Sequence, residues 1–154
     1  MSLNKRLIIL AVGLLAIFIF ALYIWTPVFW PTSPSALEVS SCTLSKNTIP
    51  NNGLTSITFV LRNKDNQSSH VITVQFSSSP GLTFMLGSEW LPAERGVSLF
   101  TISLNASETT TQQINVQALG FANGIDKISC SISVVFLLDG WKVESRSLTL
   151  TVQD

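Results

Sequence analysis

Two patterns of apolar residues divide the chain. From Leu7 to Trp25 run 19 residues without a charge, LIILAVGLLAIFIFALYIW. After Ala36, segments of four to ten residues rich in Ile, Val, Thr, Phe and Ser alternate with clusters of turn formers, and no 3.6-residue period is sustained. The first pattern predicts a membrane-spanning helix, because 19 residues rise about 28 Å and a bilayer's hydrocarbon core is about 30 Å thick. The second predicts an all-β domain, since alternation at period two buries one face of a strand and leaves the other wet.

Eight strands are expected: Leu37–Ser45, Leu54–Arg62, His70–Ser77, Leu82–Leu86, Val97–Leu104, Thr110–Ala118, Lys127–Leu138 and Trp141–Val152. Pro50 to Gly53, Asn63 to Asn66 and Pro80–Gly81 supply turns between them. Asp139–Gly140, between two alternating runs, favours the type I′ turn of a hairpin. Alternation also names the core. Ile57, Phe59 and Leu61 share a face, as do Ile72, Val74 and Phe76, and Ile114, Val116 and Ala118. Ser129, Ser131 and Ser133 take the solvent side while Ile128, Cys130, Ile132, Val134 and Phe136 point inward. In the last strand the apolar parity changes between Val143 and Leu148, which calls for a bulge near Glu144 to Ser147. The expected fold is an Ig-like two-sheet antiparallel β-sandwich of seven or eight strands, preceded by one transmembrane α-helix.

The flanks of the apolar run decide topology. Thirteen of its residues are Leu, Ile, Phe or Val, which together favour insertion by at most about 4–8 kcal/mol. A secretory signal peptide has a shorter apolar stretch and a small-x-small cleavage site, so retention is expected over cleavage near Ser33 to Ser35. Tyr23, Trp25, Phe29 and Trp30 are the residues a membrane-water boundary collects, and Lys5 with Arg6 on the amino side place that end in the cytoplasm. The expected organisation is a cytoplasmic end at 1–6, a span at 7–25, an aromatic boundary and Pro/Ser spacer at 26–36, and an extracellular or periplasmic sandwich at 37–154.

Charge narrows the partners. The chain has nine Lys plus Arg and nine Asp plus Glu. With Lys5 and Arg6 set aside, no basic stripe remains for phosphates, so nucleic acid is not an expected partner. The lipid bilayer and another envelope or membrane protein are.

The tract from Ser98 to Val152 resembles the second half of Ig-like modules of the CARDB and α-galactosidase-associated type. Leu104, Ser107, Glu108 and Thr109 stand where those modules have a Leu-x-x-Gly-Glu-Thr-like turn, and Gly124–Ile125 where they have a Gly-Tyr-like step. The resemblance implies an Ig-like fold, an adhesive or scaffolding role and a bacterial or archaeal envelope, and it carries no catalytic residue across. One amino-terminal helix followed by one sandwich is also similar in layout to archaellum stator proteins, which implies an alternative role as an accessory subunit of a membrane machine or filament.

Few residues offer chemistry. Cys42 and Cys130 both have inward parity and can be either a disulfide in an oxidising exterior or two separate buried thiols. His70 is the sole histidine and is expected at the surface at a strand end. Every nucleophile-base pair or two-histidine metal site would need it, so no enzymatic activity, cofactor or metal is expected. Asn66 and Asn105 head Asn-x-Ser glycan acceptors in expected turns. The stretch GSEWLPAERG, residues 87–96, departs from strand grammar. Its Trp90, Leu91, Glu94 and Arg95 either form a contact loop or fold back as a lid over the core.

Overall fold

The protein is seen here in a computed structural model that describes residues 36–119, 121 and 126–153. The apolar run, its flanking Lys5, Arg6, Tyr23, Trp25 and Trp30, and residues 26–35 of the spacer lie outside the described residues.

Among the described residues eleven strands follow in order: β1 (Leu37–Leu44), β2 (Thr48–Pro50), β3 (Leu54–Asn63), β4 (His70–Ser78), β5 (Leu82–Leu86), β6 (Glu89–Trp90), β7 (Ala93–Glu94), β8 (Val97–Leu104), β9 (Thr109–Ala118), β10 (Ile128–Leu138) and β11 (Trp141–Gln153). They form two sheets, ordered β1-β3-β9-β5-β6 and β2-β11-β10-β4-β8-β7. Every pairing is antiparallel except that of β2 with β11. The eight long strands are those the alternation predicts, within a residue at each end. The three short ones were not expected, and two of them lie in the 87–96 stretch.

The sheets pack face to face through the residues that alternation places inward. Ile57, Phe59 and Leu61 of β3 and Ile114, Val116 and Ala118 of β9 meet Ile72, Val74 and Phe76 of β4 and Cys130 to Phe136 of β10, all fully buried on their even- or odd-numbered inner face. Phe59 is the keystone. Its ring lies 6.2 Å from Phe76, 6.3 Å from Phe100 and 5.6 Å from Phe136, tilted or edge-on to each, which is the geometry the aromatic quadrupole favours.

Asp139–Gly140 closes β10 and β11 with φ of 48° and 88°, the two left-handed positions that a type I′ turn requires. The β11 register shifts opposite Phe136 and Leu137, which pair with Glu144 and Lys142 and leave Val143 as the extra residue. The bulge thus sits immediately before the stretch where parity called for it. A second bulge, at Ser40 of β1, has no such signal, since Val39 and Cys42 are separated by small polar residues that sit equally well on either face.

Candidate functional site

The described chain starts at one end of the sandwich, where β1 begins, β3 and β8 end, and β10 turns into β11. A polar cluster is built here, and its centre is His70. The strand register puts the ring on the inner face of β4, in line with Ile72 and Val74 and opposite Leu104 of β8. It is 6% exposed. The surface position expected for His70 is therefore corrected. SSHV is a polar neighbourhood only along the chain. In space the ring is covered by the 64–69 loop and by the β10–β11 turn.

Both ring nitrogens meet carboxylates. Nδ1 lies 2.7 Å from Asp139 Oδ2, and Nε2 lies 3.2 Å from Asp65 Oδ2. Each carboxylate is itself held. The Val71 N–H donates to Asp139 Oδ1 at 3.0 Å, while the Asp139 N–H donates to the Val71 carbonyl at 2.9 Å. Asp65 Oδ1 accepts from the N–H groups of Gln67 and Ser68 at 2.8 and 3.2 Å. Those backbone donors, with His70 second, hold the Asp65 carboxyl below its usual range. For His70, burial is the largest influence and works against the proton. The hydrogen bonds and charges of Asp139 and Asp65 together outweigh it and hold the ring above its usual 6.5.

Asn63 buttresses the same end. It is 1% exposed, and its amide donates to the carbonyls of Ser68 and Asn105 at 2.8 and 2.9 Å. The Ser107 N–H donates to the Asp65 carbonyl at 2.8 Å, and Glu108 Oε2 accepts from the Asn105 N–H at 2.7 Å. The Asn66 and Asn105 acceptor side chains are both exposed on this end, so the loop and turn that carry them adjoin.

The 87–96 stretch forms a different feature. β6 pairs with β5 in one sheet, β7 pairs with β8 in the other, and the chain crosses between the sheets at Leu91 and Pro92. The Leu91 N–H donates to the Phe84 carbonyl at 2.9 Å and the Leu99 N–H to the Pro92 carbonyl at 3.1 Å. Leu91 packs on the core, as a lid would. Trp90 remains 53% exposed and neighbouring Leu86 42%. Together with Leu82, Phe84, Leu91 and Ser98, Trp90 lines a cleft of about 150 Å³ between the two strand pairs. Arg95, at φ 51° in the β7–β8 turn, borders a more open depression of about 450 Å³ with Gln75, Val97 and Leu99. Glu94 pairs through its backbone with Val97.

Cys42 and Cys130 are free thiols, so the disulfide allowed by their parity is not made. Cys42 pairs with Phe59, whose ring meets that of Phe136 on β10, whereas Cys130 lies six residues earlier on that same strand. Those six residues separate the two levels by roughly 20 Å at ~3.3 Å per residue, beyond the ~7 Å between Cα atoms that a disulfide spans. Burial pushes the Cys42 thiol up to about 11, with Arg146 lowering and Glu144 raising it in smaller measure. Burial also raises Cys130.

No family model and no curated protein matches the chain. Among solved structures, the native conformation of Escherichia coli alpha-2-macroglobulin is similar over 77% of this chain at 14% identity and a TM-score of 0.50, covering 7% of that chain. The Pseudomonas fluorescens alkylpurine DNA glycosylase AlkC matches over 75% at 13% identity and a TM-score of 0.46, covering 30% of its chain. A FixG-related protein from Vibrio parahaemolyticus matches over 77% at 8% identity and 0.46, covering 96% of its chain. This chain thus spans under a third of the alpha-2-macroglobulin and AlkC chains. At such identities the alpha-2-macroglobulin likeness shows the fold alone, an Ig-like sandwich.

Proposed function

We propose that the protein is a single-pass membrane protein whose Ig-like sandwich stands outside the membrane and binds or positions another component of the cell envelope, without catalysing a reaction. The apolar run supports the anchor and the charges before it support the orientation. The sole histidine supports a non-catalytic module, because its ring is buried and in the closed arrangement both of its nitrogens lie against carboxylates. The observation that carries the binding role is Trp90. A Trp more than half exposed at the rim of an apolar cleft is the kind of anchor on which interfaces concentrate their energy.

Three measurements on cells producing the full chain with a carboxyl-terminal tag test this. Carbonate-washed membranes retain the protein, and protease added to intact cells, or to spheroplasts where there is an outer membrane, removes the tag. A photo-crosslinking residue at Trp90 gives one discrete adduct, while the same residue at Leu54, equally exposed at 55%, gives none. Release by carbonate, a protected tag, or equal labelling at both positions would sink the reading.

A further inference from the structure

The His70 cluster brings three parts of the chain to one point: the 64–69 loop, the start of β4 and the β10–β11 turn. We propose that Asp65, His70 and Asp139 form a proton-operated clasp, closed on both carboxylates when the imidazole is protonated and opened on the Asp65 side when the proton leaves.

The argument starts from the count of donors. An imidazolium has two N–H groups and can donate to Asp139 and Asp65 at once, while a neutral imidazole has one and must choose. The arms are unequal. Asp139 is closer, 2.7 Å against 3.2 Å, and is fixed by its reciprocal bonds with Val71 on a strand that the core holds. Asp65 is on a loop. The neutral ring therefore keeps its Nδ1–H on Asp139, and the Nε2 proton is the one given up to solvent. The bare Nε2 lone pair then faces the Asp65 carboxylate, an acceptor facing an acceptor, and the loop arm is repelled.

What moves with Asp65 is specified by its other bonds. Its carboxylate orders Gln67 and Ser68, and its carbonyl holds the Ser107 N–H. Opening loosens the 64–69 loop and the 105–108 turn together, at the end of the sandwich where the described chain begins. Across β4 the ring faces Leu104, and the nearby Asn63 and Asn105 are neutral. Among the described residues, Asp65 and Asp139 are the charged groups that act on it. The bound state's pKa is raised, so the clasp's contribution is fully present below about 6.5, the free-histidine value, and is lost as pH rises through the higher folded value. Loosening thus comes with alkalinity.

A single histidine makes the test clean. In the full chain in detergent micelles, the ring Cε1–H signal is followed against pH by NMR together with the amides of residues 64–69 and 105–108. The His70 midpoint falls above 6.5, the loop amides shift with the same midpoint, and Asp65→Asn lowers that midpoint while leaving the Val71 amide in place. His70→Gln abolishes the loop's titration. A His70 midpoint at or below 6.5 would overturn the clasp, as would loop amides that ignore it. Asp65→Asn leaves the Asp139 arm intact, so it reports even if His70→Gln does not fold.

Discussion

At the scale of single residues, burial is a matter of partners that the chain brings from far away. His70 takes one carboxylate from five positions back and the other from 69 positions on, and no local pattern in SSHV announces either. The available signal was Asp139 in its Asp-Gly turn, but connecting it with residue 70 requires the register of β4 against β10. The cysteines show the complementary case. Parity correctly turned both inward, yet parity reports a face and not a height along the strand, so it could not say that they stand at different levels. The thiols are accordingly expected to be unreactive and unbonded. At pH 8 in mild detergent, iodoacetamide should label Cys42 slowly, because its thiol is held near 11, and Cys130 only after denaturation. The intact mass before labelling should be that of two thiols, and a deficit of two hydrogens would contradict the placement. Phe59 meets three aromatic rings of the opposite sheet. Removing a ring that touches Phe76, Phe100 and Phe136 leaves a cavity both sheets share, and Phe59→Ala should cost about 3–5 kcal/mol of stability in denaturant unfolding.

At the scale of elements, the eight long strands were legible because the chain has so few charges that nearly every apolar-polar alternation reports burial without interruption. A Ser or Thr at each second position, as in Ser129, Ser131 and Ser133, marks the wet face as plainly as Ile and Val mark the dry one. β2, β6 and β7 were not legible, since two or three residues carry no period, and these strands exist only because a neighbouring edge is there to pair with. Turn glycines separate into two kinds that substitution can tell apart. At Gly140, φ is +88° and a Cβ would meet nothing within 4 Å, so Gly140→Ala should cost only the backbone term of about 1–2 kcal/mol. At Gly81, φ is +91° and a Cβ would come within 2.7 Å of the Phe121 ring. Gly81→Ala should add about 1–3 kcal/mol of overpacking to the same backbone term. Equal losses in the two variants would mean that the Phe121 ring yields freely.

At the scale of the whole molecule, the question is whether two sheets of five and six strands behave as one body. The rings answer it physically. Phe59 and Phe84 come from one sheet and Phe76, Phe100 and Phe136 from the other, so neither sheet retains a buried face once the other departs. The chain crossing at Leu91 and Pro92 ties the sheets covalently at one edge, which the sequence marked only as a break in strand grammar. Such a core should melt all at once. Two exposed tryptophans make this measurable, because Trp90 lies on β6 of one sheet and Trp141 on β11 of the other. Variants of the full chain that keep only one or the other, with the remaining tryptophans changed to Phe, should give the same urea midpoint and the same slope once each is corrected for its own substitutions by a circular-dichroism melt. A Trp90 transition that clearly precedes that of Trp141 would show that the β5–β6 edge opens on its own. The cleft beside Trp90 would then be a feature of a yielding edge instead of a preformed seat for a partner.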